Sequence, residues 1–394
     1  MQESPNLQKV KPYPFLKVNK KSKEVEQRDG KPVISLRIGI PDKEAPQAVK
    51  QAMVNAILTE NSTFGYPCDV HPERGIPQLT DAIIWDYKEK HGVDLKPENI
   101  FVTGWTKPML HNVARLFSDG RILVPDPVYP AYEAAVHLSG HDIKKVPTTA
   151  YTNWLPAFNF KKGDVAFYFC DPNNPLGSVA DMNYYTALRR DMEANDVGGI
   201  FDKAYKDFVF DDETKPISIT QVPGLMDRGY EFVSFSKHFN FVGIGLGWVV
   251  SSQENIDRLM NSLDANINQG QPWHHQVAGV TALTDPAVRQ EMDEYWDELK
   301  ERRQLLSIGL NQLGLKNELP KATPYVWFKV PRGYNDEQFV LDILIGEAHV
   351  AVMPGSYFGK NGRGYARATI YAKKDKIEQG LENIRKVRQT IGTW

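Results

Sequence analysis

The chain is predicted to fold as an α/β protein in three αβα layers, with a mainly parallel sheet between helices and a small α+β domain beside it. Two observations predict this. From about residue 55 to 285, short apolar runs alternate with helical patterns, the order that a mainly parallel sheet requires. Some of these runs end abruptly on a polar residue, as interior strands do when they deliver side chains to the carboxyl edge of a sheet.

Strands are expected at residues 100–103, 122–124, 165–169, 200–202, 232–235 and 246–251. Helical patterns lie between them. Leu79, Ile83, Ile84 and Tyr87 are spaced to share one apolar face, and Val288, Met292, Tyr295, Leu299, Leu306 and Leu310 mark a longer helix after Pro286. That helix is expected to join two domains. Strands at 325–330, 349–352 and 365–370, with helices around 337–345 and 374–390, belong to the small domain. The expected division is a large domain over 55–285 and a small domain from 1–54 and 286–394, including an amino-terminal arm. Repeats and low-complexity linkers are absent.

Composition narrows the function classes. A chain of 394 residues with 41% hydrophobic content builds a sizeable core, and a net charge of -2 gives no reason to expect nucleic acid or an anionic membrane surface. Small molecules and a second copy of the chain are the expected partners. Two cysteines, Cys68 and Cys170, argue against a disulfide scaffold and against a zinc site, so no metal is expected. No apolar run approaches the roughly 20 residues that span a bilayer. The lysine-rich amino terminus lacks a signal core, and the expected location is the reduced cytoplasm.

The most informative residue is Lys237, in Ser234-Phe235-Ser236-Lys237, which follows a buried-strand pattern and precedes a glycine-rich stretch. An amine beside two serine hydroxyls at a strand end can form a Schiff base with an aldehyde cofactor. Taken alone, the motif also fits a surface lysine after a strand, but two upstream segments weigh against that. Asp202 ends the apolar run Gly198-Gly199-Ile200-Phe201, where a carboxylate keeps a pyridine nitrogen protonated and so strengthens an electron sink. Tyr205 and Asn174 are candidate partners of the cofactor's phenolic oxygen, Asn174 being presented by the turn Asn174-Pro175-Leu176-Gly177.

These residues, in this order, resemble the fold-type I aminotransferases that bind pyridoxal phosphate, over nearly the whole chain. Leu36-Arg37-Ile38-Gly39-Ile40-Pro41-Asp42 is similar to that family's Gly-x-Pro-Asp segment, and Gly364-Tyr365-Ala366-Arg367 to its carboxylate-binding segment. Phe64-Gly65-Tyr66, Pro72-Glu73-Arg74-Gly75 and Ala322-Thr323-Pro324-Tyr325 look like the LL-diaminopimelate aminotransferase group. The resemblance implies transfer of an α-amino group from an L-amino acid to a 2-oxo acid through a Lys237 Schiff base, in a homodimer with shared active sites.

Within that likeness, the phosphate of pyridoxal phosphate calls for backbone donors and positive charge at a helix start. Thr106 and Lys107 open such a helix, with Ser234 and Ser236 on another side, and Tyr66 reaching in from the neighbouring subunit. Tyr66 equally fits core packing. Tyr129 is expected to stack on the cofactor ring, though it also reads as a core tyrosine. For the substrate, Arg367 suits an α-carboxylate because its planar fork binds bidentately, and Gly39 offers its backbone. Asn174 also faces the substrate. Glu73 and Asn268 match positions that recognise the distal end of diaminopimelate, and Tyr13 lies on the arm that folds over the site in this family.

One departure stands out. Gly245 occupies the position where most of the family carries a phosphate-binding arginine. A pyridoxal phosphate lyase, cyclase or oxidase acting on a basic or hydroxylated amino acid therefore stays open, and a separate alternative is a regulator that keeps the fold without the chemistry, against which the intact Lys237, Asp202 and Asn174 set weighs.

Overall fold

The structure, a computed structural model, describes residues 2–59, 74–211, 213–263, 270–392 and 394. Its first strand, β1 (Ile34–Ser35), lies apart from the main sheet. The next seven are β2 (Ile100–Thr103), β3 (Arg121–Asp126), β4 (Asp142–Pro147), β5 (Asp164–Cys170), β6 (Gly198–Asp202), β7 (Gly229–Ser234) and β8 (Gly247–Val250), which form one sheet in the order β2-β8-β7-β6-β5-β3-β4. The pairs β4·β3, β3·β5, β5·β6 and β6·β7 are parallel, and β8 alone runs against its neighbours. This is the mainly parallel sheet that the alternating runs predict.

Most strands of this sheet, edge strand β2 included, are buried almost throughout, as coverage on both faces demands. β2, β7 and β8 have no exposed residue, and in β5 and β6 only the partly exposed Val165 and Gly198 break the buried run. One cluster, with Tyr132, Tyr168, Ile200 and Phe232, and another, with Phe167, Phe169, Phe201 and Leu225, supply cores for the sheet. From Ala166 to Cys170, successive β5 residues alternate between the two, the period-2 signature of a strand covered on both faces.

Outside this sheet, β9 (Tyr325–Lys329), β10 (Val350–Ala351), β11 (Met353–Pro354) and β12 (Tyr365–Thr369) complete the strands. β11, β12 and β9 form an antiparallel sheet, while β10 pairs in parallel with β1. Helix Pro286–Gln312 begins on an Asp285 cap that accepts from Ala287 N–H at 2.8 Å and buries Val288, Met292, Tyr295, Leu299, Leu306 and Leu310, the predicted stripe. The last helix runs from Lys374 to Ile391, close to the expected 374–390.

Several boundaries differ from expectation for identifiable reasons. The strand expected at 232–235 stops at Ser234, because its side chain accepts from Ser236 N–H at 3.2 Å and caps a short helix, Phe235–His238. The strand expected at 349–352 is split: His349 has a left-handed φ of 55°, Val350–Ala351 pairs with β1, and the chain then changes sheets. β4 was not foreseen. As an edge strand paired only with β3, it carries Lys144, Lys145 and Pro147, the polar edge chemistry that hides an apolar pattern.

Candidate active site

Five strands that share one direction end at the same edge of the sheet, and their following turns meet around a cavity of about 540 Å³. Thr106 and Lys107 come after β2, Tyr129 after β3, Asn174 after β5, Asp202 and Tyr205 from the end of β6, and Ser234, Ser236 and Lys237 from the end of β7. Tyr13 and Gly39 join from the amino-terminal segments and Arg367 from β12. Every described candidate residue therefore lines one cavity. Tyr66, Glu73 and Asn268 lie outside the described residues.

Lys237 Nζ donates to the Gly39 carbonyl at 2.7 Å. Burial and then the positive charge of Arg367 lower its pKa to about 8, against the pull of Asp202. Asp202 is itself buried, which raises its pKa, and two donors oppose that shift: Tyr132 hydroxyl to Oδ2 at 2.5 Å and Ala204 N–H to Oδ1 at 3.0 Å. Tyr132 is fully buried and stacks on Tyr168 at 4.7 Å, so its hydroxyl is a fixed donor. No cation sits in direct contact with Asp202 among the described residues.

Arg367, 2% exposed, donates from Nη1 to Asn174 Oδ1 at 2.8 Å and from Nη2 to the Arg37 carbonyl at 3.0 Å. Its guanidinium lies 4.1 Å from the Tyr325 ring centre and 4.7 Å from that of Phe358. Its Nε is buried without a partner, and no carboxylate among the described residues pairs with it. A buried cation in this state is set to receive an anion.

Tyr205 hydroxyl shares a 2.7 Å hydrogen bond with Tyr325 hydroxyl. Gly39 is required beside them, since a Cβ there would lie 2.1 Å from the Tyr325 hydroxyl. Tyr13, 38% exposed, packs on Phe15 at 4.8 Å, and both line the cavity from the amino-terminal arm. Lys107 Nζ stands 5.3 Å from the Tyr13 ring centre and 5.9 Å from that of Tyr129. Tyr129 meets Tyr132 edge to face at 5.8 Å.

Gly245 has a physical explanation. Its φ is 72°, and a Cβ built there would lie 2.2 Å from Trp105 Cε2. The Trp105 indole is tied in place by Nε1–H donating to the Val242 carbonyl at 3.0 Å. The space for a side chain at 245 is thus filled by an aromatic ring that also lines the cavity.

Sequence reasoning missed residues whose roles depend on distant partners. Tyr132 and Tyr325 are two. A third group is Lys203, whose Nζ donates to Asp171 Oδ2 at 2.8 Å and to Tyr185 hydroxyl at 2.5 Å, all three buried beneath the loop that presents Asn174. Asp171 Oδ1 also accepts from Ala180 N–H at 2.9 Å, closing that loop. The histidines set aside as acid–base candidates stay aside: His238 is held neutral by burial, which takes its pKa to about 4. No metal-binding cluster occurs among the described residues.

The donor set fits pyridoxal phosphate. A buried carboxylate without a contacting cation suits a protonated pyridine nitrogen, a lysine of lowered pKa suits the aldehyde, and Lys107 supplies a cation at the helix start.

Comparison with known proteins agrees. A profile of the family described as aminotransferase class I and II matches residues 31–384. The chain is 34% identical over 395 residues to the LL-diaminopimelate aminotransferase of Moorella thermoacetica and 31% identical to that of Halothermothrix orenii, covering 98% of both chains in each case. Among solved structures, substrate-bound BacF from Bacillus subtilis superposes with a TM-score of 0.89 at 30% identity, covering 98% of each chain. A Thermus thermophilus aspartate aminotransferase double mutant superposes at 0.88 with 25% identity, over 98% of this chain and 100% of that one.

The chain belongs to the class I and II aminotransferases. It is a pyridoxal phosphate-dependent enzyme whose substrates are an amino acid and a 2-oxo acid, and the lyase and regulator readings are not favoured. No helix among the described residues is long and apolar enough to cross a membrane.

Proposed function

We propose that this aminotransferase carries pyridoxal phosphate on Lys237 and takes its amino group from LL-diaminopimelate or a close analogue. Relatives that bear that name over their full length support the donor. The observation that carries the chemistry is one cavity holding a lysine with its pKa lowered to about 8, a buried Asp202 and a buried Arg367 that lacks a carboxylate.

When bound, pyridoxal phosphate supplies an electron sink for the pair left at the substrate α-carbon. Arg367 fixes the α-carboxylate, and Asn174 holds the guanidinium in place. Lys237 Nζ, its pKa lowered to about 8 by burial, would serve as the base that takes the substrate α-proton. Asp202 keeps the proton on the ring nitrogen, with Tyr132 fixing the carboxylate. Tyr205 and Asn174 serve the phenolic oxygen, and Tyr129 the ring face. Thr106, Lys107, Ser234 and Ser236 hold the phosphate, with Tyr66 from a second copy. Gly39 and Tyr13 face the substrate, the resemblance assigns Glu73 and Asn268 to its distal end, and the Tyr13–Phe15 arm keeps water out.

The same reading makes the enzyme a cytoplasmic homodimer, with 55–285 as the cofactor domain and 1–54 plus 286–394 as the small domain. A donor screen tests the reaction. With pyridoxal phosphate loaded, LL-diaminopimelate should bleach the long-wavelength absorption and yield one keto acid per site. Because the keto acid keeps a second amine and closes on itself to a cyclic imine, the contrary outcome is release of free ammonia or oxygen uptake with the absorption restored and no aminated cofactor.

A further inference from the structure

Two arginines line the cavity, and Arg367 accounts for only one. The other is Arg37, whose carbonyl receives Arg367 Nη2 at 3.0 Å and whose side chain is held by Asn19, also on the cavity wall. The Arg37 side chain donates from Nε to Asn19 Oδ1 at 2.9 Å and from Nη1 to Ser35 Oγ at 3.0 Å. Both acceptors are neutral. Glu26 attracts Arg37 through space, but Glu26 Oε1 takes Val33 N–H at 2.9 Å, and no carboxylate among the described residues forms an ion pair with Arg37.

A half-buried guanidinium keeps its charge at any working pH and loses solvation that neutral oxygens repay poorly. Elsewhere this chain pairs such groups: Arg121 meets Asp164 at 2.8 Å, and Arg302 meets Asp42 at 2.9 Å. Arg303 and Arg388 also lack a carboxylate, but Arg303 stacks on Phe210, Arg388 donates to the Gln312 carbonyl, and neither is part of the cavity wall. Arg37 Nη2 makes no hydrogen bond to the described residues, and the fork of a guanidinium matches a carboxylate in two parallel hydrogen bonds.

We propose that Arg37 receives the second carboxylate of a dicarboxylic substrate whose α-carboxylate rests on Arg367. This inference rests on the transamination reading of the same cavity. A transaminase binds donor and acceptor in turn at one place, so the assignment extends to the 2-oxo acid, which is then dicarboxylic as well. It also gives the amino-terminal arm a sensing role. Asn19 and Phe15 lie on one helix, Phe15–Asp29; Asn19 holds Arg37, and the Phe15 ring lies 5.6 Å from the Arg367 guanidinium. A ligand spanning both cations therefore engages the wall against which that helix closes.

The test uses the enzyme loaded with pyridoxal phosphate, with glutarate and butyrate as non-reacting probes read by the cofactor's absorption. Arg37→Met and Arg37→Lys are compared with the unaltered protein, and thermal midpoints establish that each variant is folded. Glutarate affinity should fall about 30-fold or more in Arg37→Met and less in Arg37→Lys, while butyrate affinity changes less than about threefold. Equal losses for both probes would overturn the assignment and leave Arg37 as a support for the arm. Unchanged glutarate binding would overturn it too. Donor turnover separates this inference from the broader reading. Arg37-dependent glutarate binding without amino transfer sinks transamination alone; amino transfer with glutarate binding indifferent to Arg37→Met sinks the Arg37 assignment alone.

Discussion

At the residue scale, the account rests on two charged side chains whose surroundings leave them incomplete. Lys237 sits where burial lowers its pKa to about 8, so in cofactor-free protein its amine should gain reactivity as pH rises through that value. Below it the ammonium form prevails and is not nucleophilic. Labelling of Lys237 by an acylating reagent, followed across pH 6–10 by mass spectrometry, checks this; a midpoint near 10.5, the ordinary lysine value, would contradict it. Arg367→Ala should weaken amino-acid binding by about 2–5 kcal/mol while leaving the bound cofactor's spectrum unchanged. Normal steady-state kinetics in that variant would remove the carboxylate assignment. Both residues were legible in the sequence because each lies in a short local motif. Tyr132, Tyr325 and Lys203 were not. Their partners, Asp202, Tyr205 and Asp171, are 70, 120 and 32 residues away, and only the fold chooses them.

At the scale of elements, the turn after β2 and the stretch after Lys237 work as one unit because Trp105 fills the space over Gly245. Gly245→Ala should therefore cost about 1–3 kcal/mol through the left-handed backbone and the displaced indole, measurable by chemical denaturation. A neutral result would mean that Trp105 moves aside freely. With no arginine at 245, Lys107→Ala should reduce affinity for pyridoxal phosphate about tenfold or more and leave affinity for unphosphorylated pyridoxal nearly unchanged, as expected for a lost charge-assisted contact. Equal effects on both compounds would place Lys107 elsewhere. The element pattern was readable where strands are buried on both faces, as in β5 and β6, whose apolar runs are continuous. It failed at β4, an edge strand with adjacent lysines, and at His349, where a left-handed residue breaks one apparent strand into two that join different sheets. The glycine at 245 was visible as a departure, but the ring that replaces the missing side chain became visible only with the fold.

At the scale of the whole molecule, the site draws its groups from the ends of β2, β3, β5, β6 and β7, from the amino-terminal arm and from β12. Cofactor binding should therefore stabilise the entire assembly. Pyridoxal phosphate at a hundred times its dissociation constant should add about 2.7 kcal/mol, seen as a raised thermal midpoint that Lys237→Ala diminishes. The overall architecture was legible because alternation of strand and helix dictates a parallel sheet, and a parallel sheet dictates where its carboxyl edge gathers function. The central claim is that this edge transfers an amino group intact. It is tested most directly by supplying LL-diaminopimelate labelled with ¹⁵N at its α-amino groups together with 2-oxoglutarate, and following the label by mass spectrometry. The account predicts ¹⁵N in newly formed glutamate in equal amount to the donor consumed, and release of the label as free ammonia without labelled glutamate would contradict it.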